Sequence, residues 1–452
     1  MGVEVKNDHI DEVRGYLEAD REEEISALLS TLHSSDIGRL LKSLDDEEAQ
    51  RVFKLLSPEQ ASAVLLEIDE RLRKALISSI SSEELIEVVH EMETDDAADV
   101  ISELPVEDAK QVLEGIDRHE AIAVQKLLVY PEDTAGGKMQ AELVSVHETA
   151  TVEETIEEVR KKAREIDNIS NVFVVDHEGV LMGVAPLDKL ILARPKTRIL
   201  EITNRDAVRV ATDMDQEEVA KLFQKYDLVA VPVVDHDGKL VGRITVDDIV
   251  DVLEEEIFED FYKMAGLNVE DRALDPANRS IRMRVPWLLV NLATAFLAAS
   301  VVKLFQETIA QLVVLAVLMP IVAGMGGNAA TQTITVVVRG LALGELTLKN
   351  AKWVLFKEAL VGLSNGFVTG AVAALAVYIF GGKPIVGLIL FLAMTANLFI
   401  AGFIGSLIPI VLTKLKFDPA ISSSIFVTTF TDIGGFFTFL GLATIFMKMG
   451  LL

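Results

Sequence analysis

Five apolar runs, residues 285–302, 309–338, 355–380, 385–412 and 425–446, fill the C-terminal part of this chain. A run of this length crosses a bilayer as one helix, because backbone in hydrocarbon must bond to itself. Residues 281–452 therefore read as an all-α transmembrane domain of five helices. The last run carries a single charge, Asp432. A carboxylate at mid-membrane costs about 2.5–3.5 kcal/mol on insertion scales, so it should face a protein-lined cavity and meet a cation or proton. The alternative is local pairing with Thr428 or Thr431. Ser424, Thr428 and Asp432 recur every four residues and make one polar stripe on an apolar helix. The second run holds Pro320, Gly324, Gly326 and Gly327, where the helix is expected to loosen, with Asn328, Thr331 and Gln332 offering oxygens to a cavity. Small residues also serve close helix packing, which is the other reading of these glycines. Asn397, Gly402, Gly405 and Pro409 are weaker candidates of the same kind.

The net charge of −28 is unevenly spread. Residues 281–452 hold 11 Lys and Arg against five Asp and Glu; residues 1–280 hold 31 against 65. Such a split implies two bodies in different solvents. The acidic body repels nucleic acid and anionic lipid and attracts cations. Arg279, Arg282, Arg284, Arg339, Lys349, Lys352, Lys414 and Lys416 flank one side of the spans, and Lys303, Lys383 and Lys448 the other. By the positive-inside rule the N-terminal domains are cytoplasmic and the C-terminus lies outside. The acidic first 25 residues lack an apolar stretch, so no cleavable signal peptide is expected. With no cysteine, neither a disulfide framework nor thiol chemistry is available. The seven histidines are scattered and show no ligand spacing.

Residues 1–130 repeat. Apolar anchors recur every 12 positions, at Leu32, Leu44, Leu56, Ile68, Ile80, Met92, Leu104 and Ile116. Most precede a cap-like residue and an acid, and Pro58 and Pro105 suit a first helical position. Each unit predicts a helix of two turns, stable only when stacked in a superhelix. Asp95, Asp96 and Asp99 share a helix face, which suits a divalent cation or simply a solvated surface.

In residues 131–246 the segment starting at Val172 returns at Val231, an offset of 59, with an Asp-x-x-Gly turn in each copy. Strand, turn, strand after helices at 151–165 and 215–226 predicts a duplicated β-α-β-β-α unit. This tandem α/β unit resembles a CBS pair. Adenosine sites of that family resemble Gly-h-x-Thr-x-x-Asp, matched here by Thr245 and Asp248, although Arg243 stands at the apolar position. The first repeat has Ala185 and Asp188 and lacks the Thr, so the resemblance implies at most one ATP site per chain.

Residues 247–280 contain an acidic connecting helix with Asp247, Asp251, Glu255 and Glu259 four apart. Like charges at this spacing destabilise a helix by about 0.2–0.5 kcal/mol per pair. Two such faces approach only with divalent cations between them, which makes a gate with its own sensor. Oxygen ligands suit Mg²⁺ or Ca²⁺.

Helical repeat, CBS pair, acidic helix and five spans, in this order, resemble the MgtE family of bacterial Mg²⁺ channels over nearly the whole chain. The segment Pro320 to Gln332 and the stripe Ser424 to Asp432 carry the resemblance within the membrane. It implies a homodimer in the inner (plasma) membrane, with Asp432 holding hydrated Mg²⁺ and Asn328, Gln332, Ser424 and Thr428 lining the pore. It implies cytosolic Mg²⁺ sites on Asp248, Asp251, Glu255 and Glu259, with Asp95, Asp96 and Asp99 meeting the CBS pair through Mg²⁺. Glu217, Asp227, Asp247, Glu256 and Asp418 join that candidate set. A CBS-regulated, proton-coupled secondary transporter is the competing reading. Catalysis is not expected: the string from His90 to Thr94 lacks the second histidine of His-Glu-x-x-His, and Asp432 has no partner acid.

Overall fold

The computed structural model describes residues 7–164, 166, 168–273, 275–421 and 424–451. They form two compact units, Met1–Leu253 and Glu254–Leu452.

In the first unit, helices begin at Glu22, Ser34, Asp46, Pro58, Glu70, Ser82, Thr94, Val106 and Arg118. The step is twelve residues, as the anchor spacing requires. Helices this short are marginal alone and hold by packing. Ser34–Lys42 packs on Pro58–Leu66, which packs on Ser82–His90, which packs on Val106–Gly115. Leu32, Ile68, Met92 and Ile116 are buried, and Leu44, Leu56, Ile80 and Leu104 pack against them. Capping boxes at Asp45/Glu48, Ser57/Gln60 and Ser81/Glu84 close the helix starts. Pro58 takes the first helical position, whereas Pro105 sits one residue earlier, at the N-cap.

The tandem α/β unit follows as two three-stranded sheets. β1 (Ser145–His147) runs parallel to β2 (Asn171–Val175), which pairs antiparallel with β3 (Leu181–Pro186). β4 (Val210–Ala211), β5 (Ala230–Val234) and β6 (Leu240–Thr245) repeat that order. The turn glycines Gly179 and Gly238 have φ of +82° and +78°, a conformation that glycine adopts without strain. The two turns bond reciprocally: Leu181 N–H donates to Gly238 O and Leu240 N–H to Gly179 O, each at 3.0 Å. The boundary between the units falls inside the acidic helix Val246–Ala265.

Among the described residues, the second unit has five helices long and apolar enough to cross a membrane: Ala277–Leu304, Val314–Ala342, Ala351–Ile379, Pro384–Lys414 and Ile425–Lys448. The second run differs from expectation. It breaks before Val314, after the short helix Gln306–Gln311, and then stays helical through Pro320 and the glycines. Neighbours hold it. Asn397, fully buried, donates from Nδ2 to Val322 O at 2.9 Å. Gly402 lies against the backbone oxygen of Glu358, and a Cβ on Gly405 would meet Thr333 at 3.2 Å, so these two glycines serve helix packing.

Candidate functional site

The repeat itself sets up the first site. At the position where other repeats place a capping Asp or Ser (45, 57, 69, 81) stands Glu93, and it makes no side-chain cap. Its carboxylate instead accepts from Gln140 Nε2 at 2.5 Å. One turn on, Asp95 is buried and Asp96 half-buried, and ligand oxygens of Glu93, Asp95 and Asp96 lie within 4.8 Å of one another. Asp248, at the start of Val246–Ala265, joins them. Its Oδ2 accepts from Thr245 Oγ1 at 2.6 Å, Thr245 N–H at 3.3 Å and Gln140 Nε2 at 3.5 Å. Glu142 flanks the group and accepts from Thr94 Oγ1 at 2.7 Å.

Burial and crowding of like charge keep these carboxyls protonated well above their ordinary range. Burial, then the Glu142 charge, pushes Glu93 up to about 7. Burial, then the Asp248 charge, takes Asp96 to about 7. Asp248 rises to about 6 through burial and the nearby Asp247 and Asp251, against the Thr245 bond, which favours its charged form. Burial, then the charges of Asp96 and Asp248, raises Asp95 well above the ordinary carboxylate range, and its Oδ1 is buried with no hydrogen-bond partner. An orphaned buried oxygen among crowded carboxylates fits a hard divalent cation, whose ligands are oxygens.

The structure thus brings Asp95 and Asp96 together with Asp247, Asp248 and Asp251, and Asp99 is near enough to raise Asp96. It adds Glu93 and Glu142, which sequence reasoning missed. The missing cap at Glu93 was the available signal; Glu142 arrives by tertiary packing alone. Glu217 and Asp227 do not join. Glu217 is paired with Lys221 at 2.9 Å, and Asp227 is the exposed left-handed C-cap at the other end of the same helix. Thr245 and Asp248 are bonded to each other. Arg243, the departure from the nucleotide pattern, is buried, with Nε donating to Gln140 Oε1 at 3.2 Å.

In the second unit Glu259 and Asp418 converge, but on an ammonium. Lys263 bonds both, with Nζ 2.7 Å from Asp418 Oδ2. Glu255 is exposed and Glu256 half-buried on the same helix.

Within the membrane helices, Asp432 is half-buried, and among the described residues no hydrogen bond or ion pair reaches it. Local pairing is not seen: Thr428 donates to Ile425 O at 3.1 Å and Thr431 to Thr428 O at 2.9 Å. Gly326 lets Val314–Ala342 approach this turn, whereas Gly327 has room for a side-chain carbon. A Cβ on Gly326 would strike Asn397 Nδ2 and come within 3.2 Å of Thr431 Cβ; one on Gly327 would sit 3.6 Å from Thr428. Asn328 and Gln332 are exposed on that helix, and the Ser424 side chain lies outside the described residues.

His147 and His177, 30 residues apart, are brought within 2.9 Å by the β1–β2 pairing, which corrects the reading of scattered histidines.

Family models match three parts of the chain: "MgtE intracellular N domain" at residues 32–133, "CBS domain" at 136–196 and 199–255, and "Divalent cation transporter" at 319–442. The chain is 36% identical over 335 residues to a magnesium transporter MgtE of Thermus thermophilus, covering 74% of each chain. It is 35% identical to that of Enterococcus faecalis, over 73% of this chain and 72% of the relative. Among solved structures, the cytosolic domain of the Mg²⁺ channel MgtE in complex with ATP matches with a TM-score of 0.51 at 35% identity. That match covers 54% of this chain and 99% of the other.

Proposed function

This chain belongs to the MgtE family of magnesium transporters, and from that premise we propose that it is a Mg²⁺ channel closed by Mg²⁺ on its cytoplasmic side. The relatives that match it over about three quarters of its length are magnesium transporters.

One observation carries the gating half. Half-buried Glu93, Asp96 and Asp248 crowd the buried Asp95, whose Oδ1 has no partner. Charged and without a cation, such a cluster repels itself; with Mg²⁺ bound, the helical repeat and the CBS pair are drawn together. Closure is therefore the Mg²⁺-bound state and opening the cation-free one, with Asp247, Asp251, Glu255, Glu256 and Glu259 extending the sensing surface along the connecting helix. The permeation half rests on Asp432. Two chains set their Thr428–Asp432 stripes face to face, with Asn328 and Gln332 beside them, and Mg²⁺ passes with most of its water, which it gives up reluctantly. The N-terminal domains are cytoplasmic and the C-terminus lies outside. The solved relative is a complex with ATP, and Thr245 with Asp248 is the place for a nucleotide in this chain.

The test is Mg²⁺ flux into proteoliposomes. Asp432→Ala should abolish uptake, and Asp95→Asn with Asp248→Asn should raise uptake when internal Mg²⁺ is high. Flux that survives Asp432→Ala sinks the permeation half. Flux that ignores internal Mg²⁺ sinks the gating half, and uptake that needs a pH gradient favours proton coupling.

A further inference from the structure

Outside the acidic cluster, the edge of the first CBS repeat holds a different ligand set. His147 ends β1 and His177 follows β2 in the Asp176–Gly179 turn, so the parallel pairing His147↔Val175 sets the two imidazoles side by side. His147 Nε2 lies 2.9 Å from His177 Nδ1, and Glu148 offers a carboxylate oxygen within 4.8 Å of both histidine ligand atoms. The other nitrogen of His147, Nδ1, is 2.7 Å from Thr149 Oγ1. We propose that His147, His177 and Glu148 bind a transition-metal ion of the Zn²⁺, Co²⁺ or Ni²⁺ class at this edge.

The chemistry separates this site from the carboxylate cluster. Imidazole nitrogen selects borderline metals, whereas Mg²⁺ takes oxygen. Two histidines and a carboxylate are a three-ligand zinc set that leaves a fourth position to water. Thr149 fixes the outer side of the ring: its N–H donates to Nδ1 at 3.3 Å and its hydroxyl lies 2.7 Å from the same nitrogen, so metal at Nε2 takes the place of the ring proton there. Tetrahedral zinc with Zn–N near 2.05 Å needs its two nitrogens about 3.3 Å apart, so the pair must open by only a few tenths of an ångström. His177 is exposed and can turn that far, while Glu148 is held by its N–H to Val175 O at 2.9 Å.

The fold provides an internal control. The offset of 59 maps His177 onto His236, and the pairing Ala211↔Val234 maps His147 onto Ala211 and Glu148 onto Thr212. The second repeat has the turn histidine without its partners. The ligand set is therefore a property of this sequence in one repeat and not of the CBS fold.

The experiment uses the full chain in detergent, without a polyhistidine tag, in millimolar Mg²⁺ to fill the carboxylate sites. Zn²⁺ is titrated against a chromophoric chelator, and Co²⁺ is used as a visible-absorption probe of coordination. One Zn²⁺ per chain should bind, with affinity at least tenfold weaker in His147→Gln and in His177→Gln. His236→Gln should leave it unchanged, and Co²⁺ should give the intense bands of a four-coordinate site that His147→Gln removes. Affinity unchanged by His147→Gln and His177→Gln, loss equal in His236→Gln, displacement by Mg²⁺, or absence of those bands each overturns the proposal.

Discussion

Replacing Asp95 by Asn keeps the side chain's shape and removes its ability to ionise, which isolates what the cluster does without a cation. Asp95 Oδ1 is buried and unpartnered, and Glu93, Asp96 and Asp248 surround the carboxyl. A buried polar atom left unsatisfied costs about 1–3 kcal/mol. The amide removes one of the crowded carboxylates and gains an NH₂ that can donate to Glu93 or Asp96, so the cation-free fold should gain about that amount. At 1.4 kcal/mol per tenfold this slows amide exchange by about 5- to 150-fold wherever exchange requires opening of Thr94–Ser102. Mg²⁺ at 100 times its dissociation constant should stabilise the wild type by about 2.7 kcal/mol, a further slowing of about 100-fold. In Asp95→Asn the cation loses a charged ligand, and that increment should shrink by at least tenfold. Hydrogen exchange on peptides covering 94–102, with and without Mg²⁺, reads both effects at once. If the variant exchanges faster than wild type without Mg²⁺ and keeps the full Mg²⁺ increment, Asp95 is a structural residue and the cluster is not the sensor.

Proton linkage gives a second check. Glu93 and Asp96 hold protons to about pH 7 and Asp248 to about 6, above their unfolded values. Their advantage to the fold is therefore complete below about pH 4 and is lost as pH rises toward 7. Without divalent cations the denaturation midpoint of the first unit should fall between about pH 4 and 7, and Mg²⁺ should flatten that fall; a midpoint that rises contradicts the assignment. In the membrane helices, Gly326→Ala puts a methyl against Asn397 and Thr431. It should cut Mg²⁺ flux severalfold with the protein still folded in detergent, and undiminished flux would show that the close approach is dispensable. A double-mutant cycle of Lys263→Met with Asp418→Asn should yield a coupling of about 0.5–1 kcal/mol, modest because both groups are partly solvated. A coupling near zero would leave that ammonium without a holding role.

Much of this architecture was legible because local chemistry repeats. The twelve-residue spacing of the anchors and the cap residues at 45, 57, 69 and 81 place each helix start without tertiary information. The offset of 59 likewise pairs the two sheets, since Gly179 and Gly238 terminate hairpins of equal length. What stayed hidden depends on contacts between distant segments. Glu142 and Gln140 precede the first sheet yet reach helix Thr94–Ser102 and Asp248. His177 meets His147 only through the β1–β2 register. The expected loosening at Pro320 did not occur, as Val314–Ala342 stays helical through it, and the Asn397 bond to Val322 O is likewise a contact from another helix that the run itself does not reveal.

Asp248 is the residue on which two readings of this sequence collide, because the nucleotide pattern and the acidic cluster both claim its carboxylate. The hydrogen bonds it accepts from Thr245 and Gln140 converge on Oδ2, so a cation can take Oδ1 while that arrangement holds. A ribose that binds the same carboxylate has to compete with the Thr245 hydroxyl, and any change in that bond alters the charge presented to Asp95 and Asp96. Coupling between two ligands is reciprocal, so the factor by which ATP changes Mg²⁺ affinity must equal the factor by which Mg²⁺ changes ATP affinity. Calorimetric titration of each ligand in the presence of the other should give one common factor, and Thr245→Ala should bring it toward one. Coupling that survives Thr245→Ala undiminished would place the nucleotide's influence elsewhere in the CBS pair and leave Asp248 to the cation alone.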